Sequence, residues 1–79
     1  MRVLLFGRLG DVAGWHETDV NPAATLSELT CNLANIWPSL GEALTGPGVQ
    51  VAVDRTVVRG DVRLAPEAEV AFMPPMSGG

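Results

Sequence analysis

Lysine is missing from this sequence, so no lysine amine is available to form a Schiff base with a carbonyl substrate. A second copy of the chain also finds no lysine side chain to which it could be linked. Cysteine and histidine occur once each, as Cys31 and His16. One cysteine excludes an internal disulfide, and one histidine excludes a multi-histidine metal site built by this chain alone. We therefore predict no bound metal.

Positive charge is also scarce. Five arginines stand against nine acidic side chains, which leaves a net charge of −4 at pH 7 and a pI near 4.6. Nucleic acids and anionic membranes select basic surfaces, so we expect neither as a partner. The five arginines are Arg2, Arg8, Arg55, Arg59 and Arg63. We interpret them as ordinary surface charges, which strand edges commonly carry.

Long apolar runs are absent as well. The start, MRVLLFG, holds four consecutive apolar residues, whereas a membrane-spanning helix needs about 20 and a secretory signal needs a longer apolar stretch than this. We therefore expect a cytoplasmic protein, and a free thiol at Cys31 agrees with a reducing compartment. No glycine-rich phosphate-binding loop is present, so we expect this chain to bind no nucleotide or other cofactor.

The sequence does contain enough apolar side chains for one core. Hydrophobic residues make up 47% of its 79 residues. A chain of this size forms one domain at most. We predict a single domain over residues 1–79, in which residues 74–79 form an extended C-terminal tail.

Apolar runs and period-two alternation predict the strands. The predicted strands are residues 3–6, 15–20, 49–53, 57–58 and 69–73, with a turn or short helical segment at 9–13, a hairpin tip at 54–56 and a turn at 65–68. In the last strand, Val70 and Phe72 share one face, and Ala71 and Met73 share the other. We predict that Phe72 lies in the core and Met73 faces outward, although the reversed arrangement stays open.

One segment has the pattern of an amphipathic helix. Thr25 and Glu28 have the spacing of a capping box at its start, and Pro38 predicts that the regular helix ends near Trp37. The apolar stripe comprises Leu26, Leu29, Leu33, Ile36, Trp37 and Leu40. A helical turn at 39–44 could follow. The predicted fold class is α+β, with a sheet covered by one main helix and, in the simplest arrangement, the two terminal strands in the centre.

The C-terminal stretch FMPPMSGG differs from an ordinary polar terminus. Pro74 and Pro75 lack N–H groups, so the last strand cannot continue its ladder beyond Met73. The six residues 74–79 can reach roughly 20 Å from the body. Ser77, Gly78 and Gly79 carry little side-chain bulk and could thread a narrow channel. The α-carboxylate, with an ordinary pKa of about 3.5, is ionised and unreactive until another enzyme activates it.

Three segments resemble a known family: VLLFGRLGDVAG near the start, VAVDRTVV in the middle and EVAFMPPMSGG at the end. The chain is similar over essentially its whole length to the small subunit of molybdopterin synthase, a family of ubiquitin-like sulfur carriers. The resemblance implies the β-grasp fold, a mixed sheet of four to five strands covered by one main helix. The terminal PP-x-S-GG is its most specific part.

The resemblance also implies a mechanism. An ATP-dependent enzyme adenylates Gly79, sulfur then replaces one carboxylate oxygen, and the thiocarboxylate donates sulfur to a cyclic pterin phosphate to form molybdopterin. Gly78, Ser77 and Met76 would thread a pocket of the large synthase subunit, with two copies of each subunit in a heterotetramer. Pro75, Pro74 and Met73 would contact the partners, which are that subunit and the activating enzyme.

Other interpretations stay open. The same fold could serve thiazole or cysteine synthesis as a sulfur carrier, and the same tail chemistry could make the chain a ubiquitin-like modifier of lysines. A binding module with an inert tail is a third alternative. Cys31 could suggest a persulfide carrier, but the helical pattern places it opposite the apolar stripe, far from the tail. We interpret Cys31 and His16 as ordinary surface residues.

Overall fold

Five strands form one mixed sheet in the computed structural model, which describes residues 1–75. The elements in chain order are β1 (Arg2–Leu5), α1 (Arg8–Ala13), β2 (Glu17–Asp19), α2 (Leu26–Ile36), α3 (Pro38–Leu44), β3 (Gln50–Val53), β4 (Thr56–Val58) and β5 (Glu69–Met73). The strands lie in the order β2-β1-β5-β3-β4. This arrangement confirms the predicted sheet, its main helix and the central place of the two terminal strands.

The two central strands, β1 and β5, run parallel, with Leu5 paired with Phe72. On its other side β5 pairs antiparallel with β3, and the last pair joins Met73 to Gln50. A parallel connection between β1 and β5 requires a crossover, and the intervening helices supply it. The carboxyl ends of β1 and β5 therefore meet at the same end of the sheet.

The main helix, α2, begins where the sequence predicts. The backbone N–H of Glu28 donates a hydrogen bond to Thr25 Oγ1 at 3.2 Å, which satisfies one of the free donors of the first turn. The regular helix ends at Ile36, and Pro38 then starts α3, because proline is tolerated in a first turn but not in a helix interior. The short segment at 9–13 is also helical, as α1.

The core lies between α2 and one face of the sheet. Leu29 and Leu33 of the helix are fully buried, as is Val3, and Phe72 of the sheet is 1% exposed. Val70 is fully buried beside Phe72, whereas Met73 is only partly buried on the opposite face. The predicted orientation of the last strand is confirmed.

Two expectations from the sequence are wrong in detail. Ile36 does not join the core and is 59% exposed, because it lies at the border of the apolar stripe in the last helical turn. There it lines a shallow groove with Val20 and Asn21, near the edge strand β2. The second strand is shorter than predicted, since Trp15 leaves the sheet and packs against Trp37 with ring centroids 4.9 Å apart.

The β3–β4 hairpin has a two-residue tip at Asp54 and Arg55, whose φ angles are 48° and 71°. Val53 pairs with Thr56 across this tip, so Thr56 belongs to the strand. Two positive φ angles in succession are typical of a type I′ turn, whose twist matches that of the strands. Asp54 also binds the start of β5: its Oδ1 accepts the Glu69 N–H at 3.0 Å, and its N–H donates to the Glu69 carbonyl at 2.8 Å.

A carboxylate from a distant loop binds the start of α2. The backbone N–H of Ser27 donates to Asp61 Oδ1 at 2.8 Å, and this bond lowers the pKa of Asp61 below its ordinary value. Negative charge at a helix N-terminus is favourable, because it faces the positive end of the helix dipole. The bond ties the loop after β4 to the helix that covers the sheet.

Phe72→Ala should destabilise the protein by about 3–5 kcal/mol, because it leaves a cavity in the core. Phe6 is the matched control: it follows β1, is 49% exposed, and Phe6→Ala should cost less than about 1.5 kcal/mol. Urea unfolding of both variants measures the difference. Equal losses of stability would contradict the assigned core.

Asp61→Asn should lower the melting temperature near neutral pH and have little effect in acid. The pKa of Asp61 is depressed in the folded state, so its charge stabilises the fold above the unfolded-state pKa. That contribution is lost as pH falls through the folded-state pKa. Thermal melts of the wild type and the variant at about pH 7 and about pH 2.5 provide the test. A difference that persisted in acid would mean that the carboxylate charge is not its cause.

Candidate functional site

The sheet face opposite α2 carries an apolar surface. Strand alternation places Leu4 outward between the buried Val3 and Leu5, and the same rule places Ala71 and Met73 on that side of β5. Ala71 and its neighbour Ala52 on β3 form the floor of this surface and are only 8% and 7% exposed. Phe6 and Val57 extend this surface and are 49% and 55% exposed. We call this surface the open face: Leu4, Phe6, Ala52, Val57, Ala71 and Met73. Among residues 1–75, neither α2 nor α3 lies over it.

The open face contains a shallow depression of about 410 Å³. Arg55 and Glu69 stand at its margin, one cation and one anion, and the remaining lining is the open face itself. A rim of mixed charge around an apolar centre is the usual composition of a protein-binding surface. The arrangement suits a partner protein better than a nucleic acid.

Met73 is the last residue of the sheet on this face. Extending the parallel register by one position from the Leu5–Phe72 pair places Phe6 beside Met73. The backbone supports this extension, since the Phe6 N–H donates to the Phe72 carbonyl at 3.0 Å. A polarizable methionine next to an exposed phenylalanine can adapt to more than one partner surface.

The chain leaves the sheet at Pro74 and Pro75, directly after Met73. Pro74 is partly buried and Pro75 is exposed. Both line a groove with Leu9 and Val12 of α1 and with Pro47 of the α3–β3 loop. The C-terminal segment therefore starts from the centre of the sheet end, next to the open face. The open face and the base of the tail, Pro74 and Pro75, are therefore adjacent on the body.

The structure brings together three of the seven predicted site residues, Met73, Pro74 and Pro75. The other four, Met76, Ser77, Gly78 and Gly79, lie outside the described residues, and their roles stay predictions. The structure adds Phe6, Val57 and Leu4 to the candidate surface, and none of the three is among the residues predicted from the sequence. The outward alternation of the first strand was the available signal for Leu4 and Phe6.

The remaining candidate residues have structural or surface positions. Cys31 is an exposed free thiol on α2, the helix that covers the face opposite the open face. His16 lies with its Nδ1 3.1 Å from the carbonyl oxygen of Leu5, near the start of α1. Within residues 1–75 no group of three or more potential metal ligands is found. No helix in that range is long and apolar enough to cross a membrane.

The ThiS family model matches residues 3–79, nearly the entire sequence. The chain belongs to the ThiS family. Its members and their structural neighbours are ubiquitin-like sulfur carriers and modifiers, and the predicted β-grasp fold is thereby confirmed. A comparison with curated proteins finds no match.

Solved structures give the same fold for this ThiS-family chain. SAMP1 from Haloferax volcanii is 27% identical, with a TM-score of 0.81 over 99% of this chain and 97% of that one. Small archaeal modifier protein 1 from Methanosarcina acetivorans is 20% identical, with a TM-score of 0.85 over 99% and 94%. Urm1 from Sulfolobus solfataricus is 20% identical, with a TM-score of 0.67 over 94% and 99%.

Proposed function

We propose that this chain carries sulfur as a thiocarboxylate on Gly79 and delivers it to a cyclic pterin phosphate in molybdopterin synthesis. The observation that carries the proposal is a PP-x-S-GG ending placed directly after the central strand of a ThiS-family domain. The body has an apolar surface next to the base of that ending. Within residues 1–75 no polar or charged side chain is buried, so the described body offers no desolvated acid, base or nucleophile.

The proposed chemistry begins with activation. An oxygen of the Gly79 carboxylate attacks the α-phosphorus of ATP, and pyrophosphate leaves. A hydrosulfide-level sulfur nucleophile then attacks the acyl carbon, and AMP leaves with the former carboxylate oxygen. The product is a thiocarboxylate, with no change in the oxidation state of the acyl carbon. A partner enzyme supplies the ATP site and the sulfur, because the chain has no phosphate-binding loop of its own.

Delivery uses the two neighbouring parts of the site. The open face docks on the partner, and the tail enters its active site. The thiocarboxylate sulfur attacks a carbon of the pterin precursor and displaces the oxygen substituent of that carbon, which gives a thioester between the chain and the pterin. Water then cleaves the acyl–sulfur bond, so the sulfur leaves on the pterin as a thiolate and the Gly79 carboxylate is restored. A dithiolene contains two sulfur atoms and each carrier holds one, so each product molecule consumes two thiocarboxylates. The large synthase subunit is the proposed partner at this step, in a heterotetramer with two copies of each chain.

A second candidate function is protein modification. The similarity to SAMP1 from Haloferax volcanii, at 27% identity over 99% of this chain, favours it. The same acyl-adenylate would then react with a target lysine amine to form an isopeptide bond. Because this sequence has no lysine, such conjugates would carry single copies rather than chains linked through lysine.

Deleting Gly79 or appending one residue should abolish thiocarboxylate formation and leave the melting temperature unchanged, because the reacting carbon is misplaced. Intact mass spectrometry of protein from cells containing its activating enzyme measures the exchange of one oxygen for one sulfur. Cys31→Ser is the control and should acquire sulfur like the wild type. Sulfur on an extended, untrimmed tail would contradict the mechanism, and loss of sulfur in folded Cys31→Ser would favour a persulfide.

The acceptor is tested separately. Purified thiocarboxylated chain is incubated with the large synthase subunit and the cyclic pterin phosphate, and the dithiolene product is quantified. Two equivalents of carrier per product are expected. Sulfur transfer to a thiazole or cysteine pathway instead, or heavy lysine conjugates in cells, would replace the molybdopterin assignment.

Met73→Asp should weaken binding of both the activating enzyme and the synthase subunit at least tenfold, because it puts a charge into the apolar contact. The melting temperature should stay within a few degrees of the wild-type value, since Met73 faces away from the core. Ile36→Asp is the matched control, an exposed apolar residue on α2 that should bind normally. Titration calorimetry measures the affinities. Equal affinity losses in both variants would exclude the open face as the docking surface.

A further inference from the structure

The two prolines at the base of the tail lie against two glycines from different loops. A Cβ atom added at Gly7, in the β1–α1 loop, would lie 3.0 Å from Pro74 Cγ. One added at Gly48, in the α3–β3 loop, would lie 2.7 Å from Pro75 Cβ. The second distance is shorter than real carbon–carbon contacts allow, so only glycine fits at Gly48 while Pro75 keeps its place.

The sheet register explains why these glycines meet these prolines. Counting two positions onward from the Leu5–Phe72 pair places Gly7 opposite Pro74. The same count from the Gln50–Met73 pair places Gly48 opposite Pro75. The prolines thus occupy the next two positions of the central strand, between its neighbours. They cannot donate ladder hydrogen bonds, and their rings need space that a neighbouring side chain would fill.

The two prolines have no N–H group with which to bind a neighbouring strand. Their positions are therefore set by van der Waals contact with Gly7 and Gly48. The φ angles of Gly7 and Gly48 are 57° and 82°, in the range that favours glycine. Each loop can consequently bring bare backbone against a proline ring. Proline itself holds φ near −65°. The direction of the chain at Pro75 is therefore restricted both by its own ring and by the contact with Gly48.

We propose that Gly48, with Gly7 on the opposite side, is a positioning residue that sets where the tail leaves the body and so where Gly79 reaches. This inference rests on the proposed function, since a set starting point is useful to a tail that must meet a partner's active site. The four residues after Pro75 span at most roughly 13 Å. Because this segment is so short, a displacement of Pro75 also moves the Gly79 carboxylate relative to the docked body. Misplacements of about 1 Å are costly in catalysis.

The test compares Gly48→Ala with Gly60→Ala. Gly60 is the matched control: its φ is 73°, and among residues 1–75 no atom outside its two chain neighbours lies within 4 Å of an added Cβ. Both variants place an alanine at a positive φ angle, so both carry the same kind of backbone strain. Only Gly48→Ala conflicts with Pro75.

The first readout is the position of Pro75, which is independent of function. In the wild type, NMR should detect nuclear Overhauser contacts between the Gly48 α-protons and the Pro75 ring. Gly48→Ala should lose the corresponding contacts, and Gly60→Ala should keep them. Absence of those contacts in the folded wild type would overturn the inference, whatever the chain carries.

The second readout is kinetic, with the ATP-dependent enzyme that adenylates the wild-type chain. Gly48→Ala should lower kcat for adenylation by about tenfold or more with little change in KM, because docking through the open face is retained while the carboxylate is misplaced. Gly60→Ala should keep the wild-type values. A wild-type kcat in Gly48→Ala, or an equal loss in Gly60→Ala, would overturn the proposal.

A double variant separates positioning from general damage and remains informative if Gly48→Ala folds poorly. Pro75→Gly removes the ring atoms that the new methyl group would meet. Adding Gly48→Ala to Pro75→Gly should therefore cost little further stability or kcat, so the two changes should be strongly non-additive. Additive losses would contradict direct contact. Failure of the wild-type chain to be adenylated at all would instead refute the proposed function, and the NMR contacts would then decide the positional claim alone.

Discussion

The parallel pairing of the first and last strands is the constraint on which the rest of this structure depends. It joins the two ends of the chain in the centre of the sheet, and buries Val3, Leu5, Val70 and Phe72 beneath α2. Neighbouring residues on a strand point to opposite faces, so the same pairing turns Leu4, Ala71 and Met73 outward. The pairing of β1 with β5 therefore forms the core on one face of the sheet and the open face on the other.

The position of the C-terminal segment follows from that pairing. Because β5 is central, the chain beyond Met73 emerges between two neighbouring strands rather than from a sheet edge. It is flanked there by the loops that follow β1 and precede β3, which carry Gly7 and Gly48. A tail that left from an edge strand would be flanked by only one such loop. Central placement thus gives the tail a defined base beside the surface on which a partner can dock.

The body needs an apolar interior to fold, whereas the proposed reacting group is a charged carboxylate. Within residues 1–75 the buried interior is apolar, and the single cysteine and histidine are exposed. The free energy of folding in this region thus comes chiefly from apolar burial, as expected for a small domain. In the proposed function the reacting group is the Gly79 carboxylate, which needs no desolvated site on this chain. A partner would then supply the ATP site and the surroundings of the reaction.

Local pattern by itself determined a large part of this protein. The Thr25 cap of α2, the helix stop at Pro38 and the inward Phe72 follow from short-range chemistry and strand alternation, and the structure confirms them. In the described part of the chain, the return bond of the predicted capping box, from the Glu28 side chain to the Thr25 N–H, does not form. The β-grasp fold and the terminal motif came from the sequence through family resemblance. Tertiary structure decided the rest: that Ile36 is exposed, that Phe6 and Val57 extend the open face, and that Gly7 and Gly48 meet Pro74 and Pro75. The glycine–proline contacts join segments that are far apart in the chain. No local period encodes those contacts, because they exist only once the sheet has placed β1, β5 and β3 side by side.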